Sequence, residues 1–71
     1  MTIQQQVARN IIRLRKKKQM SQEALALESF LSPAYLRRIE HGTANPTIKA
    51  LQRIANTLNV TVNQMIFDQF E

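Results

Sequence analysis

Residues 22–41 read QEALALESFLSPAYLRRIEH, two helical patterns parted only by Phe30, Leu31 and Ser32. Ser21 is a good N-cap for the first pattern, with Met20 before it and Leu25 at the fourth helical position, the spacing of a hydrophobic staple. That helix is expected to end near Ser29. Ser32 caps the second pattern, Pro33 takes the first helical position, where its missing N–H costs nothing, and Leu31 staples to Leu36. Gly42 supplies the stop. A connection this short forces two helices into a sharp crossing, and Leu25, Ala26, Leu31, Leu36 and Ile39 fall on its inward side. Ala26 is small enough to let the two backbones approach.

Working outward, a preceding helix is predicted from about Ile3 to Lys18, with Ile3, Val7, Ile11 and Leu14 three or four residues apart on one face. Beyond a loop from His41 to Pro46, a fourth helix from about Thr47 presents Ile48, Leu51, Ile54, Ala55 and Leu58 as an apolar stripe. A fifth opens on Thr61-Val62-Asn63-Gln64, which matches a capping box, and runs through Met65, Ile66 and Phe67 toward Phe70. No stretch alternates apolar and polar residues long enough for a sheet, and there is no repeat or linker. The expected fold is all-α, a compact five-helix domain over residues 1–71, with its central two-helix unit at about 22–41.

Composition narrows the function. The chain has 71 residues with 44% hydrophobic, one Gly and two Pro, so it should fold, around a core small enough that a partner chain would help it. Cysteine is absent, which excludes disulfides and thiolate metal sites and fits a reducing cytoplasm. No apolar run approaches the ~20 residues that cross a bilayer and no signal-peptide pattern opens the chain, so a soluble intracellular protein is expected. A net charge of +5 favours polyanions, and Arg9, Arg13, Arg15, Lys16, Lys17 and Lys18 all precede the first acidic residue, Glu23. Catalysis is disfavoured: there is one histidine, the acidic residues are scattered, no glycine-rich phosphate loop exists, and no nucleophile pairs with a base. Neither cofactor, metal nor small-molecule ligand is expected.

The chain resembles the lambda-repressor and Cro-like family, or XRE family, of bacterial and phage helix-turn-helix regulators. The resemblance rests on Ile11-Ile12-Arg13-Leu14-Arg15, Ser21-Gln22-Glu23-Ala24-Leu25-Ala26, Leu31-Ser32-Pro33-Ala34-Tyr35-Leu36, Arg38-Ile39-Glu40-His41-Gly42 and Asn45-Pro46-Thr47, then Leu51, Ile54-Ala55, Leu58 and Val60. A chain of this size is similar to the controller proteins of restriction-modification systems and to small phage repressors. The resemblance implies a cytoplasmic, bacterial or phage-encoded protein that binds duplex DNA in the major groove, is nucleoid-associated when bound, and regulates transcription. One departure is Phe30, where the family usually has Gly in the turn. Either Phe30 adopts a left-handed backbone at a cost of order 1 kcal/mol, or the turn takes another shape. Its side chain is expected to be partly buried, with a contact surface as the alternative.

At about 100° per residue, the outward direction of the third helix runs through Ala34 and His41, with Arg37 and Arg38 on either side and Pro33 and Tyr35 flanking. Such a face enters the major groove in helix-turn-helix proteins. Pro33 and Ala34 offer apolar contact, as with a thymine methyl, while Arg37 and Arg38 each have the reach for guanine O6 and N7. By the family's pattern Arg38 reads a base; Arg37 reads a base or grips a phosphate. Two merely solvated arginines are the alternative.

Gln22 opens the second helix, where free N–H groups and the positive dipole end favour a phosphate oxygen, and the resemblance implies the same role. Tyr35 either gives its hydroxyl to a phosphate or serves only as a ring over the core edge. Thr43 and Asn45 are weaker phosphate candidates, and His41 a phosphate or groove contact. The resemblance places Arg15 and Glu40 in a partly buried structural ion pair.

One recognition helix reads only a few base pairs, so two-fold pairing on a palindromic operator is expected. Met65, Ile66, Phe67 and Phe70 exceed the apolar surface one short terminal helix can bury in so small a core, and some should meet a second subunit. In the alternative, Met65 and Ile66 complete the core. The competing function is a protein-binding module on the same fold, an antitoxin-like or anti-repressor partner. Membrane-surface binding is weaker, because the first helix needs its apolar face for the core.

Overall fold

The computed structural model describes residues 1–69. Among them it has five helices and no strand: α1 Ile3–Lys17, α2 Gln22–Glu28, α3 Pro33–His41, α4 Ile48–Leu58 and α5 Val62–Phe67. Every helix starts on a hydroxyl. Thr2, Ser21, Ser32, Thr47 and Thr61 each sit in extended backbone and accept the N–H three residues on, so an otherwise orphaned donor is satisfied. Thr2 with Gln5 and Thr61 with Gln64 complete reciprocal capping boxes.

The first four helices end alike. A residue in left-handed conformation follows each, at Gln19, Phe30, Gly42 and Asn59. The next N–H then reaches back to a carbonyl of the last turn, as Met20 to Arg15, Leu31 to Ala26, Thr43 to Arg38 and Val60 to Ala55. Only Gly42 and Asn59 suit that backbone intrinsically.

Phe30, at φ +57, is the opposite case. The turn keeps the conformation a glycine would give it, and the expectation that the ring is partly buried is corrected: Phe30 is 82% exposed. The backbone bonds of the turn point the side chain away from the crossing, so no packing offsets the strain. Phe30→Gly is therefore expected to raise stability by up to about 1 kcal/mol, the relief of left-handed strain less the greater freedom of glycine in the unfolded chain. The urea midpoint reads it; a fall in midpoint would show that the ring is held by something in the folded state.

Ile11, Leu25, Leu36, Ile39, Ile54 and Met65 form the fully enclosed centre, with α1 laid against both α3 and α5 and α2 wedged between α3 and α4. Two residues of the predicted apolar faces lie outside it. Ile3 is 64% and Ile48 79% exposed, because each stands in the first turn of its helix, where the neighbouring helices do not close over it. Ala8 and Asn10 are buried on α1 in turn. Among the described residues no helix is long and apolar enough to cross a membrane.

Candidate nucleic-acid interface

Leu36, Ile39 and Glu40 anchor α3 inward, so Pro33, Ala34, Arg37, Arg38 and His41 stand exposed together on its other side. Neither Arg37 nor Arg38 forms an ion pair with a described residue. The Arg38 guanidinium lies 5.7 Å from the centre of the Tyr35 ring, a cation–π contact that holds it along the edge of the face. Tyr35 is itself pinned, its hydroxyl oxygen accepting the Thr47 N–H at 3.3 Å, and its O–H stays available as a donor.

The candidates outside α3 are dispersed. Thr43 donates its hydroxyl to the Arg38 carbonyl at 3.2 Å, which commits to the helix end the proton that a phosphate would need. Asn45 lines an apolar groove with Ile3, Pro46 and Ile66 and does not join the exposed face of α3. Gln22 is half-buried at the start of α2, its side-chain Nε2 donating to Glu40 Oε1 at 3.0 Å.

Glu40 and Arg15 form a bidentate ion pair. Arg15 Nε donates to Oε2 at 2.9 Å and Nη2 to Oε1 at 3.0 Å, with side-chain exposures of 14% for Arg15 and 4% for Glu40. Arg15 Nη1 also caps the Met20 carbonyl at 3.1 Å, so a single guanidinium ties α1 to α3 and to the turn before α2.

The C-terminal helix divides its apolar residues. Met65, expected at a subunit interface, is fully buried, because its place in α5 faces the core shared with Ile11 and Ile54. It has no surface to offer a partner. Ile66 is half-buried and Phe67 64% exposed, while Phe70 lies outside the described residues. Ile66 also lines the groove of about 300 Å³ that holds Ile3, Ala44 and Pro46, and a smaller one that reaches Phe67. Among the described residues no Lys, Arg, Asp or Glu lines either, a departure from the basic surface elsewhere.

Two features escaped sequence reasoning. Asn10 is 3% exposed and gives both Nδ2 hydrogens to the last turn of α5, to the carbonyls of Met65 at 2.7 Å and Asp68 at 2.9 Å, which seats α5 on α1. A polar residue inside the stripe of Val7, Ile11 and Leu14 was the available signal. Ile3 and Ile48 read as core and are surface, and spacing carries no sign of that.

The helix-turn-helix family profile matches residues 11–64. The chain is 33% identical over 66 residues to the uncharacterized HTH-type transcriptional regulator y4dJ of Sinorhizobium fredii, covering 93% of this chain and 86% of that one. It is 42% identical over 57 residues to the HTH-type transcriptional regulator SlrR of Bacillus subtilis, covering 78% of this chain and 38% of SlrR. Among solved structures, the wild-type restriction-modification controller protein C.Esp1396I superposes with TM-score 0.81 at 30% identity, covering 99% of this chain and 99% of that one. The controller protein C.AhdI of Aeromonas hydrophila superposes with TM-score 0.84 at 26% identity, covering 87% and 94%. With its α2–α3 pair inside the matched region, the chain belongs to the helix-turn-helix family, of the lambda-repressor and Cro-like (XRE) type, a family of transcriptional regulators and not of enzymes.

Proposed function

We propose that the protein binds a palindromic DNA operator as a homodimer, each α3 lying in a major groove, and so regulates transcription in a bacterial cytoplasm. The observation that carries this reading is the exposed face of α3, where two arginines that form no ion pair with a described residue flank the small residues Pro33 and Ala34. Small residues let the helix sit deep, and the guanidinium fork matches guanine O6 and N7. In this reading Arg38 reads a base and Arg37 a base or a phosphate. Gln22, Tyr35 and His41 hold the backbone, with Thr43 and Asn45 as lesser contributors. The dimer forms through Ile66 and Phe67 of α5 together with the adjoining groove, whose described lining holds no Lys, Arg, Asp or Glu, so no like-charged side chains there are pressed together when two copies meet. Similarity to restriction-modification controller proteins supports the same reading.

Selection of sites from a random duplex pool at stated salt gives the operator, and variants then test the roles. Arg38→Ala should cost about 1–3 kcal/mol and relax preference at one base pair in each half-site, whereas Gln22→Ala should weaken all sequences alike. An unchanged ranking of operator variants with Arg38→Ala would remove direct readout from Arg38. Failure of any duplex to bind at low ionic strength would leave the protein-binding module, whose affinity for a protein partner lacks the steep salt dependence of phosphate contacts.

A further inference from the structure

The ion pair between α1 and α3 reaches a third helix, and the link runs through the one side chain on α2 proposed to hold the DNA backbone. We propose that Glu40, clamped by Arg15, is a positioning residue that orients the Gln22 carboxamide for a phosphate; this rests on the reading of Gln22 as a phosphate contact.

A glutamine on a surface samples several rotamers, and its amide turns over to present either oxygen or nitrogen. Here the amide is oriented. Nε2 gives one hydrogen to Glu40 Oε1 at 3.0 Å, which directs the NH2 end toward α3 and leaves the second N–H for another acceptor. The carboxylate is itself clamped, both oxygens accepting from the Arg15 fork at 2.9 and 3.0 Å and its side chain 4% exposed. Ordering the donor before DNA arrives moves its entropic cost from binding to folding.

Charge decides why a carboxylate is tolerated beside an approaching phosphate. Glu40 alone would repel the DNA backbone, but Arg15 neutralises it, so Gln22 relays hydrogen bonding from a net-neutral pair. Glu40 also stands two residues from Arg38 on the same helix, so the strut relates the backbone anchor to the base-reading side chain. An error in that spacing would be felt at every half-site.

The test is a double-mutant cycle in operator affinity, using the full chain, Gln22→Ala, Glu40→Gln and the double variant, by fluorescence anisotropy at a temperature where circular dichroism shows all four folded. Glu40→Gln keeps the shape and removes the charge. The expected result is a weakening of about three- to tenfold by Glu40→Gln in the parent, shrinking to less than about twofold once Gln22 is Ala. Equal weakening in both backgrounds, or none in the parent, overturns the positioning role. If Glu40→Gln fails to fold, Arg15→Lys, which keeps the charge and loses the fork, takes its place in the cycle with the same two readings. If Gln22→Ala leaves affinity intact while Arg38→Ala lowers it, the premise about Gln22 has failed and the proposal with it. Nitrogen-15 relaxation of the Gln22 side-chain amide in the DNA-free protein is expected to show an ordered group, and rapid rotation there overturns the pre-orientation.

Discussion

Phe67→Glu is expected to leave a folded monomer whose affinity for the palindromic operator is about 10²–10⁴-fold lower, with affinity for an isolated half-site nearly unchanged. Phe67 is 64% exposed in the single chain, so the substitution removes little from the core, and surface changes of this kind usually alter stability by about 0.5 kcal/mol or less. In the proposed two-fold interface a carboxylate at this position would lie near its own symmetry mate, and two desolvated like charges are far costlier than one lost aromatic contact. The large loss follows because a dimer on a palindrome binds its second half-site at high effective concentration, and a monomer forfeits that advantage. Sedimentation equilibrium gives the oligomeric state and anisotropy the affinities. A variant that remains dimeric and binds the palindrome normally would place the two-fold contact elsewhere than α5.

Glu40→Ala should cost about 3–5 kcal/mol, because it strands the Arg15 guanidinium without its partner. Arg15 keeps 14% side-chain exposure, so some water reaches it and the lower part of that range is expected. For a core of this size, whose net stability is only about 3–5 kcal/mol, that loss leaves little or no folded protein at room temperature. Replacing both partners, as Arg15→Met with Glu40→Leu, should restore much of it, since no charge is then left unpaired. Urea titration of the three proteins decides the point: equal midpoints for Glu40→Ala and the parent would make the ion pair energetically idle, at odds with its burial.

These two residues illustrate different degrees of legibility. The Arg15–Glu40 pair is legible only through the resemblance, since nothing in local spacing brings residues 25 apart together. Gln22 reads as a phosphate contact for its place at a helix start, while its bond to Glu40, across 18 residues, is invisible because Gln22 is equally suitable as an exposed helix former. Phe67 reads as excess apolar surface at the end of a short chain. Met65 beside it reads the same way and is core, for which of two nearby residues turns inward depends on the angle at which α5 docks.

What the amino-acid order determined unaided was what is settled within a few residues: five helices, the hydroxyl caps at Ser21, Ser32 and Thr61, the stop at Gly42, and the outward turn of Arg37, Arg38 and His41 on α3. Backbone hydrogen bonds and helical period act over three or four positions, so their signals lie side by side in the chain. Docking of helix on helix decided the rest: that Ile3, Phe30 and Ile48 face water, that Met65 and Asn10 do not, and that α1, α2 and α3 converge on one carboxylate. Exposure and convergence belong to the packed whole, because burial is a property of what lies opposite a side chain and the local pattern leaves that unspecified.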